Sequence, residues 1–372
     1  DPVSICALKR YAADGEKGLW KIGNKKAADS GKKVAVVGAG PAGLTAAFYL
    51  RKKGHAVIVF DANPKAGGML RYGIPRFRLP RNILDREIAD ILDLGIELKT
   101  GQTLGRDFAF DQLANNAYDA VFLAVGAQSS QPIPLDGCHV PDVIQGTEFL
   151  HRVAQGEEVK LKDNVVVIGG GNVAVDAAMT ARRCGANDVK MVCLESAEEM
   201  PARPWELEKA SAEGIEIMPS RGPDRIISAD GSIAAIDLKE CSCVFDEQGQ
   251  FCPQFSETRE CIPVDQVIIA VGQVTELSFL EDKGTIKTDR GLILVHPDSM
   301  ETNIQGIYAG GDVTTGPASI IDAIAAGRQA ASSIDQALGG SGDIDEILFS
   351  RDDPNPFLGR DDKFAFQARE IV

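Results

Sequence analysis

The stretches VAVVGAGPAG (residues 34–43) and VVVIGGGNVA (residues 165–174) carry the strongest structural signal in this 372-residue chain. Each begins as a run of four apolar residues, stops at glycines and continues into a segment with helical spacing. A second apolar run follows each helix, at 57–60 and at 189–194. Two strand–helix–strand units are therefore predicted, and strands joined in this way form the parallel sheets of an α/β fold.

The first glycine cluster fits the pattern Gly-x-Gly-x-x-Gly, with glycines at 38, 40 and 43. Such a turn lets a pyrophosphate approach the backbone and places it at the N-terminus of the following helix. Asp61, at the end of the next strand, has the spacing of a carboxylate that accepts a hydrogen bond from a ribose hydroxyl. We therefore expect a dinucleotide here, with a purely structural glycine turn as the alternative.

Later glycines favour FAD over NAD at this first turn. Gly67 and Gly68 suit a second close approach of backbone to pyrophosphate, and Gly310-Gly311-Asp312 stands between a strand and a helix. Asp312 is predicted to bind the ribityl chain, while a helix N-cap is its alternative role. The residues predicted to bind FAD are Gly38, Gly40, Pro41, Ala42, Gly43, Asp61, Ala62, Gly67, Gly68, Met69, Leu70, Arg78, Ala124, Val125, Gly126, Gly311, Asp312, Ser319 and Ile320.

The second glycine cluster fits Gly-x-Gly-x-x-Ala and predicts a nicotinamide dinucleotide. Glu195 lies at the end of the following strand, where a carboxylate bonds the 2′-hydroxyl of NAD and repels the 2′-phosphate of NADP. Alanine at the third position is common in NADP sites, but the charge of Glu195 favours NAD; a solvated surface acid is the alternative. The residues predicted to bind NAD are Gly169, Gly171, Asn172, Val173, Ala174, Glu195, Ala270 and Gly272.

The order of these motifs predicts a discontinuous arrangement of domains. Residues 31–150 and 284–338 are expected to form the FAD-binding domain, and residues 151–283 the NAD(H)-binding domain. Alternating short strands at 223–262 predict a small antiparallel meander within the second domain. Residues 1–30 are predicted to be a docking arm with a short helix near 5–13, and residues 339–372 an extended tail. The predicted fold class is α/β, with two Rossmann-like nucleotide-binding domains.

Composition excludes several classes of partner. The formal net charge of −15 makes nucleic acid and anionic membranes poor partners. No apolar stretch reaches the roughly 18 residues that would span a bilayer. Eight cysteines without any Cys-x-x-Cys predict reduced thiols, a cytoplasmic location and no redox disulfide of the thioredoxin-reductase type.

Four cysteines are close together in sequence, at positions 241, 243, 252 and 261. Their density raises an iron–sulfur or zinc site as an alternative. Free thiols are favoured, because the strands of an antiparallel meander need not bring the four together. We therefore predict no metal site in the chain.

Six stretches resemble the glutamate synthase small-subunit family, at residues 38–43, 67–75, 77–80, 169–176, 199–202 and 309–312. That family includes the flavin portion of dihydropyrimidine dehydrogenase and the large subunit of electron-bifurcating ferredoxin oxidoreductases. The resemblance extends from Val3 to about Ala337. It implies a flavin disulfide-reductase-like fold without the disulfide, hydride exchange at FAD, and one-electron traffic to iron–sulfur clusters. No catalytic side chain is implied, because flavin N5 carries the chemistry.

The chain differs from the family pattern in two places. Members that use NADPH usually carry paired arginines after the second strand of the nicotinamide domain, where Leu194 and Glu195 stand here. Many members also have an N-terminal domain with cysteine clusters before the segment that resembles residues 2–10, so the clusters are expected upstream of Asp1 or on another subunit.

The main hypothesis is an NADH-preferring flavin subunit that works with an iron–sulfur (ferredoxin-like) subunit and a terminal oxidoreductase subunit. Two alternatives stay open at this stage. One is a stand-alone NAD(P)H oxidase or monooxygenase, and the other is a non-catalytic subunit that only holds nucleotides.

Overall fold

The computed structural model describes residues 3–16, 18, 26–114, 118–229, 231–280 and 286–345. Its helices are α1 (Ile5–Asp14), α2 (Pro41–Lys52), α3 (Met69–Tyr72), α4 (Arg81–Leu92), α5 (Phe110–Ala114), α6 (Gly146–Gln155), α7 (Asn172–Arg183), α8 (Pro204–Ala212), α9 (Asp312–Thr315) and α10 (Ile320–Ala337). Its strands are β1 (Lys33–Val37), β2 (Ala56–Asp61), β3 (Glu97–Thr100), β4 (Ala120–Leu123), β5 (Ser129–Ser130), β6 (Val143–Gln145), β7 (Asn164–Ile168), β8 (Asp188–Val192), β9 (Glu216–Met218), β10 (Arg221–Ala229), β11 (Ser232–Phe245), β12 (Phe251–Pro263), β13 (Gln266–Ile269), β14 (Gln273–Val274), β15 (Thr288–Asp289), β16 (Leu292–Ile293) and β17 (Ile307–Ala309).

The first parallel sheet has the strand order β17-β4-β1-β2-β3. Its central strand β1 is apolar along residues 34–37 and is buried on both faces, as parallel strands covered by helices are. Helices α2 and α10 pack against each other over this sheet through small side chains, among them Ala46, Ala47 and Ala330. We call this sheet and its helices the first lobe.

Strand β17 joins this sheet beside β4, although the whole second sheet lies between them in sequence. The first sheet thus contains four strands that precede the second sheet in sequence and one strand, β17, that follows it. This is the chain order of the predicted discontinuous domain, whose exact boundaries stay a prediction.

The second parallel sheet has the order β6-β13-β7-β8-β9 and is covered by α6, α7 and α8. Its core contains Val167, Met191 and Ile268, each fully buried. We call this sheet and its helices the second lobe. With two parallel sheets of Rossmann type, the predicted fold class is confirmed.

The predicted meander is the three-stranded antiparallel sheet β10-β11-β12. Ile236, Leu238 and Ile262 from this sheet pack with Val166 and Ile168 of the second lobe. Strands β11 and β12 have 14 and 13 residues and are longer than the short strands predicted. Beyond the packed part they continue as an exposed hairpin, so hydrophobic periodicity gave no signal for their length.

The predicted elements differ from the observed ones mainly at their ends. Helix α2 begins at Pro41, whereas the helical spacing in the sequence predicts a helix from Leu44; proline fits the first helical position. Strands β4 and β13 end at Leu123 and Ile269, whereas their apolar runs predict strands that end at Val125 and Val271. The residues that follow, Ala124 and Ala270, lie against the glycine turns instead of continuing the ladders.

The chain forms one unit over Asp1–Gly342 and a second over Asp343–Val372. In the first unit, α1 has no buried residue, and Ile5, Leu8 and Tyr11 are exposed. Of the predicted tail, residues 346–372 lie outside the described residues. Within the described part of the chain, no helix combines the length and the apolar character that crossing a membrane would require.

Candidate functional site

The first glycine turn connects β1 to α2 and is closed by backbone contacts. A Cβ on Gly38, whose φ is +109°, would lie 2.2 Å from the carbonyl oxygen of Ala124. A Cβ on Gly43 would lie 1.9 Å from the carbonyl oxygen of Gly38. Neither position accepts a side chain without movement of the backbone, so both glycines are required for the close contact of helix and strands.

A second glycine loop covers this turn. A Cβ on Gly68 would come within 2.8 Å of the Cα of Gly40, and the amide of Gly67 donates to the carbonyl oxygen of Ala39 at 2.8 Å. Gly40 is also the N-cap of α2. The two loops therefore leave a narrow space, free of side chains, at a helix N-terminus, which fits a phosphate group.

Asp61 connects the end of β2 to the glycine turn. Its Oδ2 accepts a hydrogen bond from the amide of Ala39 at 2.7 Å, and its Oδ1 accepts from the amide of Asn63 at 2.8 Å. Burial raises the pKa of the Asp61 carboxyl, while these two amide hydrogen bonds oppose the shift. The carboxylate thus orders the turn and also lines the cleft beside it.

A cleft of about 660 Å³ runs along this turn. The predicted FAD residues that line it are Gly38, Gly40, Pro41, Ala42, Asp61, Gly68, Met69, Leu70, Ala124, Val125, Gly126, Gly311, Asp312, Ser319 and Ile320. The other four predicted FAD residues, which are not among its lining residues, are Gly43, Ala62, Gly67 and Arg78. The cleft is also lined by Ile74, Gln128, Gly310, Ala318 and Ala323, which were not among the predicted residues.

The far end of this cleft is formed by the start of α10. Ser319 is the N-cap of this helix, and its hydroxyl accepts from the amide of Asp322 at 3.2 Å. Asp312 is therefore not the cap of α10; it is the first residue of the short helix α9, and its Oδ1 accepts from the amide of Ala318 at 3.3 Å. Burial raises the pKa of Asp312. A carboxylate and a helix N-terminus thus meet at one end of the cleft.

The second glycine turn repeats this geometry in the second lobe. A Cβ on Gly169, whose φ is +140°, would lie 2.3 Å from the carbonyl oxygen of Ala270. Gly171 is the N-cap of α7, and a Cβ there would have no neighbour within 4 Å. This turn offers a helix N-terminus to a phosphate, as the first one does. A second loop also bonds it, because the amide of Ala202 donates to the carbonyl oxygen of Gly170 at 3.0 Å, but none of the described residues of that loop comes within 4 Å of a Cβ on Gly171.

Glu195 lies directly against this turn. A Cβ on Gly170 would be 2.8 Å from Oε2 of Glu195, and the backbone of Glu195 is held by the amide of Ser220 at 2.8 Å. Burial, and secondarily the charge of Glu195, raise the pKa of the Cys193 thiol to about 12, so this thiol stays protonated. At the end of β8, Glu195 therefore provides a carboxylate, whereas the sulfur of Cys193 is a thiol and not a thiolate.

A larger cleft of about 1040 Å³ lies between α3 and the start of α6. It shares Met69 and Gln128 with the first cleft, so the two spaces adjoin. Gln145 lines this cleft, and its buried Oε1 has no hydrogen-bond partner among the residues that the structure describes. The sequence indicated Gln145 only by its position at the end of a parallel strand, where ligands of such sheets bind.

Two aromatic rings form one wall of this larger cleft. The rings of Tyr72 and His151 stack with centroids 4.6 Å apart, and Nε2 of His151 is 2.8 Å from Oδ1 of Asn63. Burial lowers the pKa of His151. A neutral imidazole therefore predominates at neutral pH, and sequence spacing gave no sign that His151 would reach this position.

The structure places Arg78 in contact with the second lobe. It pairs with Asp176 on α7 and with Glu206 on α8. The predicted NAD residues Ala270 and Gly272 follow β13, beside the end of β7 from which the second turn starts. The residues predicted for the two nucleotides therefore lie at the carboxyl ends of two different parallel sheets.

All eight cysteines are free. Cys241 is buried, whereas Cys243, Cys252 and Cys261 are exposed. Cys261 stands opposite Asp237 in the meander, and Cys243 stands opposite Gln254. Among the residues that the structure describes, no group of histidine, cysteine or acidic side chains has the arrangement of a metal site.

Comparison with known proteins identifies sequence relatives. The chain matches the family model of pyridine nucleotide-disulphide oxidoreductases over residues 32–327. It is 37% identical, over 91% of its own length, to the NADP(+)-dependent formate dehydrogenase subunit beta of Moorella thermoacetica, of which it covers 51%. It is 31% identical, over 89% of its length, to the glutamate synthase [NADPH] small chain of Halomonas elongata, of which it covers 74%.

A further relative is the NADPH-Fe(3+) oxidoreductase subunit beta of Geobacter sulfurreducens, at 32% identity over 91% of this chain and 55% of that protein. The chain spans about half the length of this relative and of the formate dehydrogenase subunit.

Solved structures share the fold. The structure of Mycobacterium tuberculosis FprA in complex with NADPH superimposes with a TM-score of 0.71 at 19% identity, covering 83% of this chain and 85% of that one. Thioredoxin reductase of T. acidophilum gives a TM-score of 0.59 at 22% identity, covering 82% of this chain and 99% of that one. At these identities the likeness concerns the fold alone.

Proposed function

Because this chain belongs to the pyridine nucleotide-disulphide oxidoreductase family, and within it to the glutamate synthase small-subunit family, we propose that it is the FAD-containing electron-transfer subunit of a larger oxidoreductase. The observation that carries the proposal is the pair of glycine turns on adjacent sheets, with adjoining clefts in front of them. When bound, FAD would supply the acceptor for a hydride and release its electrons singly.

The first cleft suits FAD because of the groups at its two ends. At one end, Gly40 and Gly68 leave room for a pyrophosphate at the N-terminus of α2. At the other end, Asp312 accepts hydrogen bonds, as a ribityl hydroxyl requires, and the N-terminus of α10 favours negative charge on the flavin. Protein that has been desalted and then heated should release about one FAD per chain. A chain that folds and is purified without any flavin would contradict this assignment.

The nicotinamide end of the second nucleotide is assigned to the larger cleft. A dinucleotide with its pyrophosphate on Gly171 and its adenosine beside Glu195 directs its other end toward β13 and β6. Gln145, at the end of β6, presents an unpaired carbonyl oxygen that can accept from a carboxamide. The shared wall of Met69 and Gln128 then brings the nicotinamide to the flavin.

We further propose that NADH is preferred over NADPH, unlike in the relatives whose names specify the phosphorylated cofactor. Oε2 of Glu195 occupies the place beside Gly170, where it would accept from a 2′-hydroxyl. The 2′-phosphate of NADPH would place its negative charge next to the Glu195 carboxylate, and the two groups would repel each other. The preference should be at least about tenfold, which corresponds to roughly 1.4 kcal/mol.

The direct test compares the anaerobic rates of flavin reduction by NADH and by NADPH over a range of concentrations. The preference should appear in the ratio of the limiting rate of flavin reduction to the half-saturating nucleotide concentration. We expect a higher ratio for NADH than for NADPH, because Glu195 acts on nucleotide binding. Equal ratios for NADH and NADPH would contradict the role proposed for Glu195 in the choice of nucleotide.

The electron acceptor is proposed to be an iron–sulfur, ferredoxin-like subunit, which connects this chain to a terminal oxidoreductase subunit. The names of two relatives, each a subunit beta of an oxidoreductase, support this assignment. The exposed residues Ile5, Leu8 and Tyr11 of α1 support a docking role for the arm. A cytoplasmic location belongs to the same proposal.

Purification of the native assembly tests the acceptor. We expect iron-containing subunits to co-purify with this chain, and deletion of residues 340–372 to weaken the assembly without preventing reduction of the flavin. Isolation of a homo-oligomer without iron that reacts rapidly with oxygen and forms peroxide would instead favour a stand-alone oxidase.

A further inference from the structure

Arg78 joins the two lobes through buried charges. It belongs to the segment 67–80, of which Gly68, Met69, Leu70 and Ile74 line the first cleft. Its Nε contacts Oδ1 of Asp176 on α7, and its Nη1 donates to Oε1 of Glu206 on α8. The three side chains are only 20%, 10% and 5% exposed. One guanidinium thus faces two carboxyl groups that are almost removed from water. Burial raises the pKa of Asp176 to about 7, and the neighbouring charge of Arg78 opposes this shift.

The surroundings of Arg78 fix its direction. Glu206 also accepts from the amide of Arg203 at 3.4 Å, which holds its carboxylate at the beginning of α8. The ring of Trp205 has its centroid 5.7 Å from the Arg78 guanidinium. A planar guanidinium makes both ionic contacts at once, which a single ammonium group does less well.

The helices that Arg78 contacts are the ones that carry the second nucleotide site. Helix α7 begins at the second glycine turn, and Asp176 lies one helical turn after Asn172. Arg78 therefore connects the loop that borders the flavin cleft with the helix that borders the other dinucleotide. Loss of the Arg78 cation would leave the buried carboxyl groups of Asp176 and Glu206 without their shared partner, and separation of the two lobes at this point would relieve the cost of that burial.

We infer that Arg78 is a positioning residue: through Asp176 and Glu206 it holds the second lobe in the orientation that brings the nicotinamide against the flavin. The inference rests on the proposed function. Hydride transfer requires the reacting atoms to be about 3–3.5 Å apart, so a small rotation of one lobe reduces the rate while each nucleotide still binds.

The test uses the FAD-loaded protein with Arg78→Met, and Arg86→Met as the control for loss of an exposed arginine on α4. Arg78→Met should lower the limiting rate of flavin reduction by NADH at least about tenfold. The half-saturating NADH concentration should change by less than about threefold, because the glycine turn and Glu195 are untouched. Arg78→Lys should restore part of the rate, and Arg86→Met should leave it unchanged.

Asp176→Asn provides a second variant that keeps the volume of the side chain. It should lower the limiting rate in the same direction as Arg78→Met, because the pair loses one of its charges. If Arg78→Met does not fold, this variant carries the test. An unchanged limiting rate in folded Asp176→Asn and in Arg78→Met would overturn the positioning role.

Trp205 gives a readout that does not depend on activity. In a Trp20→Phe background it is the remaining tryptophan of the two in the chain, so its fluorescence reports the contact directly. Acrylamide should quench it more strongly after Arg78→Met, with FAD content unchanged. Loss of FAD from folded Arg78→Met would instead assign Arg78 to the flavin site.

Different results would contradict the proposed function and the positioning role of Arg78. A wild-type protein whose flavin neither NADH nor NADPH reduces contradicts the proposed function, and the positioning role with it. A wild type that is reduced normally, together with an Arg78→Met protein of equal rate and equal quenching, contradicts the positioning role alone.

Discussion

The two glycine turns share a backbone geometry but differ in what covers them. Gly38 and Gly169 both have a positive φ, of +109° and +140°. A Cβ on Gly38 would lie 2.2 Å from the carbonyl oxygen of Ala124, and one on Gly169 would lie 2.3 Å from that of Ala270, each just after a strand end. The Cα of Gly68 lies 3.8 Å from the Cβ position of Gly40, whereas none of the described residues comes within 4 Å of the Cβ position of Gly171, although the amide of Ala202 bonds the preceding Gly170. A covered turn encloses its ligand, and an open turn lets a ligand exchange.

This difference supports the proposal that the two turns bind different kinds of nucleotide. A resident cofactor benefits from enclosure, because buried contacts slow its release. A nucleotide that is used and replaced in each cycle needs an open approach to its phosphate site. On this basis we propose FAD at the first turn and NAD(H) at the second, and both placements stay predictions.

The largest effect is expected when the same substitution is made at the centre of each turn. Gly40→Val and Gly171→Val are both compatible with the local extended backbone, so each variant should fold. Gly40→Val should yield colourless protein, because its side chain fills the pyrophosphate space. Gly171→Val should keep its flavin and lose reduction by NADH. Flavin content and reduction rate measured on both variants check this, and normal flavin in folded Gly40→Val would refute the placement.

The third position of each motif provides a smaller and more local contrast. It is Gly43 in the first turn, where a Cβ would lie 1.9 Å from a carbonyl oxygen, and Ala174 in the second, where the methyl group is accommodated. Gly43→Ala should cost about 1–3 kcal/mol of the free energy of unfolding through overpacking. Ala174→Gly should cost about 1 kcal/mol or less, from helix propensity. Denaturant unfolding of both variants measures the contrast, and equal costs would show that the two turns do not differ in packing.

The smallest expected effect concerns cofactor choice at the open turn. Glu195→Arg should narrow or reverse the preference for NADH, a change of about tenfold or roughly 1.4 kcal/mol. Flavin content should stay unchanged, because Glu195 lies on the second lobe. The measurement is the ratio of reduction efficiencies with NADH and NADPH, and Glu195→Gln, which removes only the charge, serves as the matched control. If Glu195→Arg leaves the ratio of the NADH and NADPH efficiencies unchanged, the 2′-position of the nucleotide does not lie beside Glu195.

The glycine turns could be predicted because each is a local pattern, a strand followed by glycines and a helix. The motif at Gly310 predicted that residues 284–338 return to the first domain after a strand, but not that this strand, β17, pairs with β4. Gln145 and His151 could not be placed at the larger cleft, because α6 and β6 bring them there through tertiary contacts. The contact of Arg78 with Asp176 could not be predicted from the sequence either, since the two residues belong to different lobes.

The most direct measurement for the account is an anaerobic titration of the desalted protein with NADH, followed through the visible absorption of the flavin. The account predicts that about one equivalent of NADH bleaches the flavin, because one hydride carries two electrons. A protein that contains a full complement of FAD, yet keeps its absorption in excess NADH and in excess NADPH, would contradict the claim that the two clefts act together.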